Sequence, residues 1–140
     1  MATANVKVTF ICPIKEVWMT ITDISDFEWR SDILDIEIID EDTFIEYAKD
    51  GLKTRFQVVK KQPLKFLEIE VENEKFKGMV TGRFFRHGNN TTLDFTEIAS
   101  AKRPDLKLLI NSYLLERQRQ YFIDLKKKLG CEEASKIQVF

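Results

Sequence analysis

One carboxylate, Glu97, falls at an inward position in a run of strands whose inward positions are otherwise apolar. A carboxylate among apolar neighbours costs several kcal/mol unless it is paired or takes up a proton. Such a group can orient a polar ligand atom or act as a general acid or base. The alternative is a rim position, in water or paired with a lysine such as Lys107. Gly78 and Gly82 flank Val80, the residue expected opposite Glu97, and leave room beside the acid. The same glycines also let a strand bend where a sheet curls. Tyr47 and Thr54 are expected to face each other across a hairpin, offering hydroxyls to a ligand or to solvent. Asn111 and Gln118 lie two helical turns apart on the side of Leu114, and amides on a core face need partners. Trp29 is placed at a cavity mouth, and Phe56, Ile69, Val80, Phe95 and Leu114 complete the expected pocket wall. His87, the one histidine, sits at a turn in RHGNN without companions for a metal site or a Ser-His-Asp set. With no phosphate-binding glycine loop either, neither metal nor cofactor is expected.

The elements that must hold these residues can be read from periodicity. Val6, Val8 and Phe10 alternate with Lys7 and Thr9, the mark of a half-buried strand. Pro13 suits the first position of a helix carrying Ile14, Val17, Trp18 and Ile21, and Ser25 with Glu28 suggests a second short helix. From Ile33 to Ala99 about six strands follow, with two-residue loops expected at Glu41-Asp42, Asp50-Gly51, Gln62-Pro63, Asn73-Glu74 and Gly88-Asn89. These registers put Ile45, Tyr47, Thr54 and Phe56 inside, and Arg55 outside between Glu46 and Glu70. The last helix is expected from Pro104 to Leu129, with Gly130 as its C-terminal cap. Its first half, Leu106 to Leu115, is apolar nearly all round and calls for cover on two sides, for which a homodimer is one means.

A length of 140 residues suits a single domain, 1–140, with its core in about 6–129. The net charge of −1 argues against a nucleic-acid partner. No apolar run approaches the ~20 residues of a membrane span, so no membrane insertion is expected. The beginning MATANVKVTF has neither a basic start nor an apolar core of a signal peptide. Cys12 and Cys131 lie far apart without CxxC spacing and are expected to be free thiols, which with the other features suggests a cytoplasmic protein.

The order strand, two short helices, antiparallel strands, long helix, together with CPIKEVWMTITD and FEWRSDI, resembles the START-like (SRPBCC) superfamily and within it the polyketide cyclase/dehydrase-like group. The matching positions are Pro13, Val17-Trp18, Asp23 and Trp29, and the likeness runs from about Val6 to Leu129. It implies an α+β helix-grip fold: a curved antiparallel sheet of about seven strands wrapped on the C-terminal helix, with a hydrophobic cavity between them. Members bind lipids, sterols, hormones or aromatic polyketides, and only some are enzymes.

Three functions remain open at this level. The leading one is non-catalytic binding or carriage of a small hydrophobic ligand of lipid, polyketide or isoprenoid type, with Glu97 and Tyr47 or Asn111 fixing a polar end. The second is a cyclase, dehydratase or hydrolase using Glu97 as acid-base. A lone inward ionisable group is thin equipment for that. The third is an interaction module of the chaperone-activator or coenzyme Q-binding kind. An open cavity containing Glu97 favours the first two, and a packed interior the third.

Overall fold

The computed structural model describes residues 1–130 and the backbone of residues 136–139. Strand β1 (Ala2–Phe10) is followed by helix α1 (Ile14–Thr22). Six strands then follow in sequence: β2 (Ile33–Ile38), β3 (Thr43–Ala48), β4 (Lys53–Gln62), β5 (Phe66–Glu72), β6 (Phe76–His87) and β7 (Asn90–Ala101). A 3₁₀ turn, Pro104–Leu106, leads into the long helix α2 (Lys107–Leu129), and β8 (Lys136–Val139) comes last. All pairings are antiparallel, in the order β2-β3-β4-β5-β6-β7-β1-β8. The architecture is the expected α+β helix-grip arrangement with one further strand.

Helix α2 lies against β1 and β7. One core cluster joins Val6, Val8 and Phe10 of β1 to Val17 and Trp18 of α1 and to Phe122 and Leu125 of α2. A second joins Ala4, Phe76, Ala99, Ile110 and Leu114. The helix ends at Gly130, whose φ of +70° permits the left-handed cap, and its last turn carries Lys126, Lys127 and Lys128, favourable for the helix dipole.

The hairpins differ from expectation in an ordered way. The β6–β7 loop is the expected two-residue turn, so Val80 stands opposite Glu97 and Gly82 opposite Phe95. The β2–β3 and β3–β4 loops have three residues each. At 40–42, Ile39 N–H donates to Thr43 O, and the Asp40 side chain accepts the Asp42 N–H. At 49–51, Gly51 takes a left-handed φ of +93° after a tight turn on Ala48 O. Each extra residue slips β3 by one, and the slips cancel for its neighbours. Only β3 is turned over: Phe44 and Glu46 face inward, while Ile45 and Tyr47 face outward. Arg55 therefore lies between Ile45 and Glu72, not between Glu46 and Glu70. In the β4–β5 hairpin a three-residue loop and a bulge at Val59 together shift pairing by two, so the face survives and Val58 meets Ile69.

Two further expectations are corrected. The second short helix is absent: residues 24–32 run through successive turns, with Arg30 N–H on Phe27 O and Trp29 Nε1 on Asp26 O. Ser25 bonds the Asp23 carboxylate instead of capping a helix. In the first half of α2, Leu108 and Leu109 are 91% and 62% exposed in the single chain, so the early helices do not cover them. Cys12 is paired in a disulfide, not free, which weakens the inference of a reducing compartment, and Cys131 lies outside the described residues. Among the described residues, no helix is long and apolar enough to cross a membrane.

Candidate functional site

Because α2 covers the β1–β7 side of the sheet, strands β3 to β6 curl beyond it and leave a cavity of 220 Å³. The end of α1 from Thr20 and the turns up to Asp32 form its other wall. Its sides are apolar and mostly aromatic: Phe44 stacked on Phe56 at 5.0 Å, then Ile69, Val80, Phe84 and Phe95, with Trp29 set edge-on to Tyr121 at 5.5 Å. The exposed lining residues Asp23, Asp26, Glu41 and Lys61 mark its mouth. Lys61 faces this way because of the Val59 bulge.

The deep end is polar and comes from four separate stretches of chain. The turns before β2 supply Arg30, β3 supplies Glu46, β7 supplies Glu97, and α2 supplies Arg117 and Gln118. Arg30 is 9% exposed and grips Glu46 through two contacts, Nη1–Oε2 at 3.2 Å and Nη2–Oε1 at 3.4 Å. Its Nε faces Asp32 at 3.4 Å, and its guanidinium lies 4.8 Å from the centre of the Tyr121 ring. Burial alone would lower the Arg30 pKa. Glu46, Tyr121 and Asp32 together outweigh it and move the value upward, so the guanidinium stays charged. Arg117 approaches Glu46 Oε1 at 3.7 Å from the other side.

Glu97 is 6% exposed. Desolvation raises its carboxyl to about 7, against the opposing pull of Arg117 and a hydrogen bond with Gln118, while Glu46 adds to the rise. The acid stands in the apolar row Val80–Ile69–Val58, which explains why burial prevails. A carboxyl poised near neutrality can donate or accept a proton, and in its neutral form it can serve as hydrogen-bond donor and acceptor.

Of the residues singled out from the sequence, Trp29, Phe56, Ile69, Val80, Gly82, Phe95, Glu97 and Gln118 line this cavity. The others do not. Tyr47 is on the outer face, its hydroxyl donated to Glu37 Oε1 at 2.7 Å. Thr54 faces inward but lies beside the hairpin end, accepting from Asn73 Nδ2 at 3.1 Å. Gly78 lacks a side chain because β7 crowds it: an added Cβ would fall 2.2 Å from Ile98 O. Asn111 is exposed on α2, and Leu114 is buried in the second core cluster. Replacing Tyr47 with Phe is accordingly expected to leave ligand affinity within about twofold, since an exposed hydrogen bond far from the cavity is lost; titration with an apolar probe checks this.

Sequence reasoning passed over Arg30, Glu46, Arg117 and Tyr121. Arg30 stands in the quoted FEWRSDI segment, and Arg117 and Tyr121 share the helical face of Leu114 and Gln118. Those spacings were a signal. Glu46 had none, because its direction depends on loop length.

No protein-family model and no curated protein matches this chain. Solved structures do. A START superfamily protein from Mycobacterium smegmatis superposes with a TM-score of 0.83 at 11% identity, covering 93% of this chain and 98% of that one. The chain has the START-like fold. A conserved protein from Geobacillus kaustophilus aligns with this chain at a TM-score of 0.81 and 14% identity, over 97% and 99% of the two. DynU16, a protein of the dynemicin biosynthetic locus, aligns at 0.68 and 14% identity, over 94% of this chain and 49% of its own. The START-like chain thus spans about half of DynU16. At these identities the likeness concerns the fold, and function rests on the site.

Proposed function

We propose that this START-like chain binds a small, mainly apolar molecule in the cavity, with the ligand's polar end against Glu97, Gln118 and Arg117. The observation that carries the reading is the union of aromatic walls with one buried polar end, the usual composition of a small-molecule site. The ligand classes implied by the resemblance, lipid, polyketide or isoprenoid, all suit such walls. An open cavity also moves the interaction-module reading behind the small-molecule ones.

A catalytic version has its own support. Glu97 sits near neutrality, where a general acid-base works best, and Glu46 adds a second inward carboxylate. Both Glu46 oxygens are engaged by guanidinium groups, however, so Glu97 is the freer acid. Binding is therefore the primary proposal, and acid-base chemistry by Glu97 is the enzyme alternative.

The test is saturable binding of Nile red, read by fluorescence. Gly82 borders the cavity, and an added Cβ there meets Leu93, Phe84 and Phe95 only at ordinary contact distances of 3.6 to 3.9 Å. Gly82→Leu should fold, fill part of the cavity and weaken the probe by tenfold or more. Unchanged affinity in folded Gly82→Leu protein would remove the cavity as the site. Native mass spectrometry of protein from its own host would show a retained ligand directly.

A further inference from the structure

Two buried acceptors at the polar end of the cavity lack a hydrogen bond among the described residues; Asp32 Oδ1 is ion-paired with Arg30 Nε at 3.4 Å, which leaves Gln118 Oε1. Gln118 is 3% exposed and lines the cavity. Its Nε2 donates to Ala4 O of β1 at 3.3 Å. A carbonyl oxygen can only accept, so this contact sets the orientation of the amide and puts Oε1 at the other corner. Oε1 is buried and has no hydrogen-bond partner among the described residues. Buried acceptors are rarely left in that state, because the unmet group keeps its full desolvation penalty.

The surrounding charges restrict what can meet it. Glu97, Glu46 and Asp32 are the carboxyl groups of this end, Arg30 and Arg117 its cations, and the guanidinium groups are directed at Glu46 and, through Arg30 Nε, at Asp32. A ligand carboxylate would lie among like charges and has no proton to give to Oε1. A hydrocarbon or ether end would bury Oε1 still unmet. A hydroxyl group supplies the missing proton and carries no charge into the apolar cavity.

We propose that Gln118 Oε1 is a specificity subsite that accepts a hydrogen bond from a neutral hydroxyl at the buried end of the ligand, so that the cavity selects a phenol or alcohol over the matching hydrocarbon, ether or carboxylate. This deepens the small-molecule reading and rests on it. The walls formed by Phe44, Phe56, Phe84 and Phe95 favour a flat aromatic body behind that hydroxyl.

Four compounds of one shape test it on the unaltered protein at pH 7: 2-naphthol, 2-methoxynaphthalene, naphthalene and 2-naphthoate, each titrated by calorimetry. The expected result is that 2-naphthol binds about tenfold or more tightly than the ether and the hydrocarbon. Simple partition into an apolar space would produce the reverse order. In Gln118→Met, which keeps the side-chain length and removes the acceptor, 2-naphthol should fall to within about twofold of naphthalene, whose own affinity should hold. The comparison on the unaltered protein stands even if that variant folds poorly. Equal binding of 2-naphthol and 2-methoxynaphthalene would mean that Oε1 is met from within, by the Glu97 proton, and would overturn the proposal while leaving the cavity as a binding site. Tightest binding by 2-naphthoate would overturn it in favour of anion recognition through Arg117. Binding by none of the four would remove the cavity reading and this subsite together.

Discussion

Replacing Arg30 with Met is expected to destabilise the protein by about 3–5 kcal/mol, because it strands a buried carboxylate. Glu46 is 6% exposed and takes both of its close contacts from Arg30. Without them it retains Arg117 at 3.7 Å, a weaker and more solvated partner. Arg30 also ties the turns before β2 to the rest of the site, through Asp32 and the face of Tyr121. The loss should therefore reach the cavity wall as well as the charge pair. A double replacement, Arg30→Met with Glu46→Leu, should recover most of the stability, since an apolar pair of similar volume removes the stranded charge. Urea denaturation of the unaltered protein, both single variants and the double variant closes the cycle. A loss under about 1 kcal/mol in Arg30→Met would show that water reaches the pair and that it contributes no more than a surface ion pair.

The second large effect is a dependence of stability on pH carried by Glu97. In the folded protein its carboxyl titrates near 7, above the ordinary 4.5, so the folded state holds that proton more tightly than the unfolded chain. The contribution of Glu97 is then present in full below about pH 4.5, declines as pH rises towards 7, and is lost above it. The span corresponds to roughly 3 kcal/mol. Glu97→Gln keeps the shape and cannot ionise. Its stability should exceed that of the unaltered protein by less than about 1 kcal/mol at pH 5 and by about 3 kcal/mol at pH 8. Urea midpoints for both proteins at pH 5, 6, 7 and 8 test this, because their difference isolates Glu97 from the other titrating groups. An NMR titration of the side chain gives the same quantity directly. A constant difference across the series, or a carboxyl titrating near 4.5, would place Glu97 in water or in a strong ion pair.

Much of the architecture was legible in the chain. The alternation in β1, the periodicity of α1 and α2, and Gly130 as a cap depend on neighbours a few residues away, and all are found. The Gly88-Asn89 turn is likewise local. With it came the placement of Glu97 opposite Val80 and Phe95 opposite Gly82. Both acid and cavity wall could thus be named from sequence, because an unbroken two-residue hairpin carries its register into both strands.

The other carboxylate could not. Asp50-Gly51 is compatible with a two-residue loop and with a three-residue loop in which glycine takes the left-handed position, and nothing within the turn distinguishes them. The choice decides whether Tyr47 or Glu46 enters the cavity. By local pattern the tyrosine belongs inside. What reverses this is Arg30 from the turns before β2 and Arg117 from α2, which meet Glu46 only once the sheet has curled around the helix. Burying an acid becomes tolerable when cations arrive from distant parts of the chain, and their arrival is a property of the assembled fold. The same holds for Gln118. Its spacing marked it as facing the core, but only the position of the Ala4 carbonyl determines which end of the amide is satisfied and which is not.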